Sequence, residues 1–141
     1  MDRVGKFIQA DAGREEVIRG TEHVVATKWI AYTAPVDGKP VTVALFDHPG
    51  NARHPAAMFR MLDSFAYMSA TLNLYKEPLE IVADKPLDLA YGVALWDGEV
   101  PAEQVEAMYR RWVEMVGGRR EAEAGAGARG YGMQEIATLR R

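Results

Sequence analysis

Two runs rich in β-branched and aromatic residues, His23–Thr33 and Pro40–Asp47, stand on either side of Pro35-Val36-Asp37-Gly38-Lys39. Asp-Gly supplies the positive φ that a tight hairpin connection needs, so strand–turn–strand is the strongest local signal in the chain. That signal commits the fold to antiparallel β-structure. In the second run Val41, Val43 and Leu45 share one face. Leu87–Trp96 alternates more cleanly still. Leu87, Leu89, Tyr91, Val93 and Leu95 make a large apolar face, and Asp88, Ala90, Gly92 and Ala94 a small one. Small side chains on one face predict close approach by another packed layer. Leu79–Val82, Phe59–Ser69 and Thr71–Tyr75 are expected as further strands, and Asp84-Lys85-Pro86 as a turn.

One helix is predicted, Pro101–Val116. Proline suits a first helical turn, where its missing N–H is no loss. Val105, Met108, Trp112 and Met115 recur as one stripe for the core. Gly117 is expected to end the helix. Beyond it, Gly117–Gly132 is rich in glycine, alanine and arginine and offers little to bury. Its ordering entropy would go uncompensated. The expected organisation is therefore a domain over 1–116 and a flexible tail over 117–141. The fold class is mainly β, an antiparallel sandwich, partial in extent, with one C-terminal amphipathic helix.

Composition narrows the function classes. The chain has 141 residues, 48% hydrophobic, with a formal net charge of −3. A slight acidic excess without a basic run argues against nucleic acid or an anionic membrane as the main partner. The absence of cysteine removes disulfides, thiolate metal sites and a Cys nucleophile. The opening MDRVGKFIQADAG has no apolar leader core, and no apolar run nears the roughly 20 residues a spanning helix needs. A cytoplasmic location is the expectation.

The polar groups concentrate in Asp47-His48-Pro49-Gly50-Asn51-Ala52-Arg53-His54-Pro55. Proline after each histidine restricts its backbone and removes an amide donor. A loop stiffened in this way holds side chains at set angles. Imidazole, carboxylate, amide and guanidinium together suit an oxygen-rich ligand or a proton relay. The competing reading is structural: Asp, Asn and Arg in turns often bond their own backbone. His48 and His54 match no zinc-ligand spacing, so neither metal nor cofactor is expected. Trp29, Tyr32, Phe59, Tyr67 and Trp96 offer stacking surfaces for a sugar, although aromatic residues at strand spacing serve cores more often. No P-loop, nucleophile elbow, H-E-x-x-H or credible dinucleotide fingerprint is present.

From Lys28-Trp29-Ile30-Ala31-Tyr32, through Val36-Asp37-Gly38-Lys39-Pro40-Val41, to Ala44-Leu45-Phe46-Asp47-His48-Pro49-Gly50-Asn51-Ala52-Arg53-His54-Pro55, the sequence resembles the bacterial family labelled "methane oxygenase PmoA". Phe65-Ala66-Tyr67, Leu79–Lys85 and the Tyr109, Arg111, Trp112 pattern extend the resemblance over about 20–116. It implies a β-sandwich of a kind found in sugar-processing folds, cut to its C-terminal half. No established reaction comes with it.

Three functional expectations follow. The first is binding or processing of a carbohydrate-type ligand at the His48–His54 loop. There His48 or His54 acts as general acid/base, Asp47 orients a histidine, and Asn51, Arg53, Trp29 and Phe59 bind the ligand. The second is a non-catalytic interaction module that completes its sheet with a second copy or partner chain. The exposed edge is expected near Val24, Val25, Trp29 and Ile30, because the charges in Phe7–Ile18 make that segment a poor strand. The third is the metal-dependent oxygenase that the family label suggests.

Overall fold

In the computed structural model, residues 5–11 and 13–126 are described. They form eight strands and one helix. One antiparallel sheet has the order β1 (Lys6–Gln9), β4 (Trp29–Val36), β5 (Lys39–Asp47), β8 (Tyr91–Asp97). The other has β2 (Glu15–Arg19), β3 (Glu22–Ala26), β6 (Ala57–Met61), β7 (Tyr67–Thr71). Helix α1 spans Ala102–Ala126.

The hairpin forms as its sequence predicts. Asp37 (φ 49°) and Gly38 (φ 77°) both take the left-handed conformation, and β4 pairs with β5 from Val36↔Lys39 to Trp29↔Phe46. The run His23–Thr33, expected as one strand, is two strands in different sheets. The chain crosses between them at Thr27-Lys28. That corner is held by Thr27 N–H on the Ala56 carbonyl (3.1 Å) and Asp47 N–H on the Lys28 carbonyl (2.9 Å). Crossing between sheets resets the inside–outside alternation. Val25 and Ile30 therefore meet in one core from opposite sheets, with Ala56 and Met58.

The first sheet is the middle layer. Ile30 and the partly buried Phe7 and Leu45 face the second sheet. Trp29, Ala31, Ala44, Phe46 and Ala94 lie on the opposite face, against Val105 and Tyr109 of α1. The small face of β8 meets the helix as its composition predicts. A Cβ on Gly92 would lie 2.6 Å from Cε2 of Trp112. Of the large face, Val93 and Leu95 remain 44% exposed, and Leu87 and Leu89 precede the strand.

Several expectations are corrected. The N-terminal segment supplies an edge strand to each sheet: β1 pairs with β4, and β2 with β3. Edge strands tolerate charge because one face and one edge stay in water, and every residue of β2 is exposed. Val24, Val25, Trp29 and Ile30 consequently sit in interior strands, which removes the open edge from which association was expected. Leu79–Val82 is not a strand. Phe59–Ser69, expected as one strand, holds the end of β6, a turn in which Ser64 has φ 65°, and the start of β7, while Thr71–Tyr75 is a turn segment apart from Thr71, the last residue of β7. Gly117 does not end α1. The following Arg119–Ala124 stretch is rich in strong helix formers, and the helix continues through Gly117 and Gly118, each at a cost of about 1 kcal/mol relative to alanine. The rest of the expected tail, 127–141, lies outside the described residues.

Candidate functional site

Asp47 closes β5 and is the centre of the polar loop. Its side chain is buried, and its two oxygens receive three donors. Oδ1 accepts from Asn51 Nδ2 (2.7 Å), and Oδ2 accepts from Ala56 N–H (2.8 Å) and from His54 Nδ1 (2.6 Å). A carboxylate so surrounded has its lone pairs well used, which is how a buried charge becomes tolerable. Asn51 extends the network to the residue just before β8: its Nδ2 also donates to the Ala90 carbonyl, and its Oδ1 accepts from Ala90 N–H, both at 2.7 Å. Tyr109 Oη of α1 donates to the Asp47 carbonyl at 3.0 Å. The loop therefore ties two strands and the helix together. Burial, followed by the charges of Asp47 and Glu106, pushes the Tyr109 phenol up to about 12. Burial and then the Asp47 charge likewise raise Tyr91, the cross-strand neighbour of Asp47.

The two histidines have opposite tautomers. His48 Nδ1 accepts from Gly50 N–H (2.9 Å), so that nitrogen carries no proton, and its ring stands edge-on to Trp112. His54 Nδ1 faces a carboxylate and carries the proton, which leaves the neutral ring its lone pair on Nε2. Its side chain keeps 23% exposure. Arg53 sits at φ 60° and turns away from Asp47. Its guanidinium donates to the carbonyls of Leu72 and Glu77 (2.7 Å each) and Pro78 (2.8 Å). It pins the segment after β7 to the loop.

Of the residues expected at a site, Asp47, Asn51 and His54 are in direct contact, and Arg53 and His48 flank them. Trp29 is elsewhere: it is 1% exposed and its indole Nε1 donates to Glu106 Oε2 at 2.6 Å. Its ring belongs to the core between sheet and helix. Phe59 lies on the outer face of the second sheet, paired with Val24, since Val25 and Met58 point inward.

That outer face carries two adjoining cavities. The larger, about 710 Å³, is bounded by Arg14, Glu15, Glu16, Asn73, Tyr75 and Lys76 around Val24, Ala26 and Ala57. The smaller, about 470 Å³, includes Phe59, Leu72 and Leu74 and ends at Tyr91. Val24 and Tyr75 line both. Two residues join the polar loop to this depression: Tyr91, opposite Asp47 across the strand pair, and Leu72, whose carbonyl Arg53 holds. The imidazoles of His48 and His54 line neither cavity. Sequence reasoning passed over Arg14, Glu16, Tyr75 and Lys76, which come from an edge strand and a turn 60 positions apart (Glu16 to Lys76). The cluster of polar residues and tyrosine at 73–76 was the one local hint.

The family model for a "Family of unknown function (DUF6807)" matches residues 2–110. The chain belongs to this family. The DUF6807 match replaces the expected membership of the methane oxygenase PmoA family. It begins at residue 2, so the N-terminal strands belong to the DUF6807 domain, and the expectation of a C-terminal half alone has no support. The oxygenase expectation rested on that label and goes with it. No curated protein and no solved structure matches the chain. Among the described residues, no group of three or more His, Cys, Asp or Glu side chains is arranged to hold a metal ion, and no helix is long and apolar enough to cross a membrane.

Proposed function

We propose that this DUF6807 protein binds a carbohydrate-type ligand in the depression on the outer face of the second sheet. The Asp47–His54 loop lies outside that depression and supports it from behind, through Arg53 on the Leu72 carbonyl. The observation that carries the reading is the company Tyr75 keeps. Its ring, 60% exposed, lines a cavity together with Asn73, Glu16 and Lys76. A sugar ring presents an apolar C–H face and a rim of hydroxyls, so it suits an aromatic surface edged by amide, carboxylate and ammonium groups. Arg53 supports the same site at one remove, because its three carbonyl contacts hold the segment that carries Tyr75.

Calorimetric titration with a panel of mono- and oligosaccharides tests this. Saturable binding that Tyr75→Ala weakens about 5- to 13-fold, and Arg53→Gln weakens less, is the expected result; loss of one stacking ring is worth about 1–1.5 kcal/mol. Absence of binding across the panel overturns the reading.

One observation favours a second reading, an interaction module. Ile81, Val82, Val93 and Leu95 are large apolar side chains with half or nearly half of their surface in water. Val93 and Leu95 share one face of β8, and exposed apolar side chains that lie together mark contact surfaces more often than isolated ones do. Concentration-dependent sedimentation is the corresponding signature.

A further inference from the structure

Resting on the saccharide reading, we infer that the ligand of the larger cavity carries an acidic group on its hydroxylated ring, and that the Arg14 guanidinium receives it. Glu15 is already engaged: Arg60 Nε donates to its Oε1 at 3.1 Å, and His23 Nδ1 lies 3.0 Å from the same oxygen. Burial alone would raise the Glu15 carboxyl, but Arg60 and His23 hold it below its ordinary value, so it stays anionic and paired. Glu16 is engaged as well, in an ion pair with Lys76 that ties β2 to the turn bearing Tyr75. Each of these couples is neutral overall.

Arg14 is different. Among the described residues it has no carboxylate partner, yet it borders the same space as Tyr75 and Asn73. Its place is set by its backbone. A Cβ on the preceding Gly13 would lie 2.6 Å from the Ala26 carbonyl oxygen, so the chain enters β2 pressed against the end of β3. Ala26 itself lines the cavity. The guanidinium is thus the one cation of the cavity wall left without a counter-charge in the described chain. A guanidinium presents a planar fork of N–H donors that matches a carboxylate or phosphate in a bidentate manner. A neutral sugar would leave that fork to water. Uronic acids and sugar phosphates share the required chemistry, a hydroxylated ring with an anionic substituent.

The test is calorimetry on the full chain in low-salt buffer, with matched ligands: glucose against glucuronate and glucose 6-phosphate, and galactose against galacturonate. The acidic member of a pair is expected to bind about tenfold tighter or more, with the margin shrinking as salt is added. The uronate and phosphate arms tell the two sources apart. Arg14→Gln should abolish the margin while leaving the residual affinity at the neutral level, and Arg14→Lys should keep part of it. Arg14 is exposed, and unchanged circular dichroism confirms the fold of each variant. Equal binding of acidic and neutral members, or a margin that survives Arg14→Gln, overturns this inference while the saccharide reading stands. Binding of none of the ligands overturns both.

Discussion

Trp29 Nε1 donates to Glu106 Oε2 at 2.6 Å, and Lys28 Nζ donates to the other oxygen of the same carboxylate at 2.7 Å. Lys28 in the corner between the sheets and Trp29 at the start of β4 thus clamp one side chain in the second turn of α1. The tryptophan is buried, so its N–H has no recourse to water if the carboxylate is removed. Glu106→Ala should cost about 1–3 kcal/mol, the penalty for stranding a buried donor. Glu106→Gln retains an acceptor and should cost less. Urea denaturation of the two variants beside the parent checks the order.

The same carboxyl predicts a pH dependence. Burial pushes it up, but Lys28, Trp29 and Arg110 together hold it below its ordinary value of 4.5. A carboxyl depressed in the folded state stabilises the fold fully above its unfolded value. That contribution is lost as pH falls through the lower, folded value. Glu15 is depressed in the same direction by Arg60 and His23. Thermal midpoints should therefore decline on acidification below about pH 4.5, and Glu106→Gln should decline less steeply than the parent. Parallel curves for the two proteins would contradict this.

Asp47 accepts three donors from a buried position, and no amide can replace it. Asn at 47 brings its own N–H₂ toward Asn51, Ala56 N–H or His54. Asp47→Asn should lose about 2–4 kcal/mol, more than one charged hydrogen bond. Nitrogen NMR gives a second readout. In the parent His54 carries its neutral-form proton on Nδ1 and His48 on Nε2, and the substitution should disturb the His54 assignment while leaving that of His48.

Gly92 lets the helix approach the sheet. Gly92→Ala places a methyl where Trp112 Cε2 and Nε1 lie 2.6 and 2.8 Å from the ideal Cβ. The expected loss is about 1–3 kcal/mol, the range for overpacking. Trp112→Phe should recover part of it when the two are combined, and a double-mutant cycle in guanidinium measures the coupling.

What could be read ahead of the structure was local. The Asp37-Gly38 hairpin, the Val105–Trp112 stripe and the small face of β8 each depend on residues within a few positions of one another. The polar loop was legible as a cluster, and its stiffness followed from its prolines. The division of labour inside it was not legible. Whether Asp47 meets His48 or His54, and whether Arg53 faces a ligand or three carbonyls, depends on backbone turns such as the left-handed Arg53.

The chain by itself determined that antiparallel strands form, where one tight turn falls and which helical stripe is apolar, because propensity, turn chemistry and periodicity act over a few residues. Tertiary structure alone decided the rest. His23–Thr33 reads as one strand, and only competition between two sheets for Val25 and Ile30 breaks it at Thr27-Lys28. Charges at Glu15 and Glu16 argue against a strand, and only pairing to β3 makes one of them. Trp29 reads as a ligand platform until Glu106, 77 positions away, takes its N–H. The cavity walls likewise come from Arg14 to Tyr91. Burial, charge pairing and cavity shape are properties of neighbours in space, and the strand pairings that create those neighbours are settled by the packing of the whole chain.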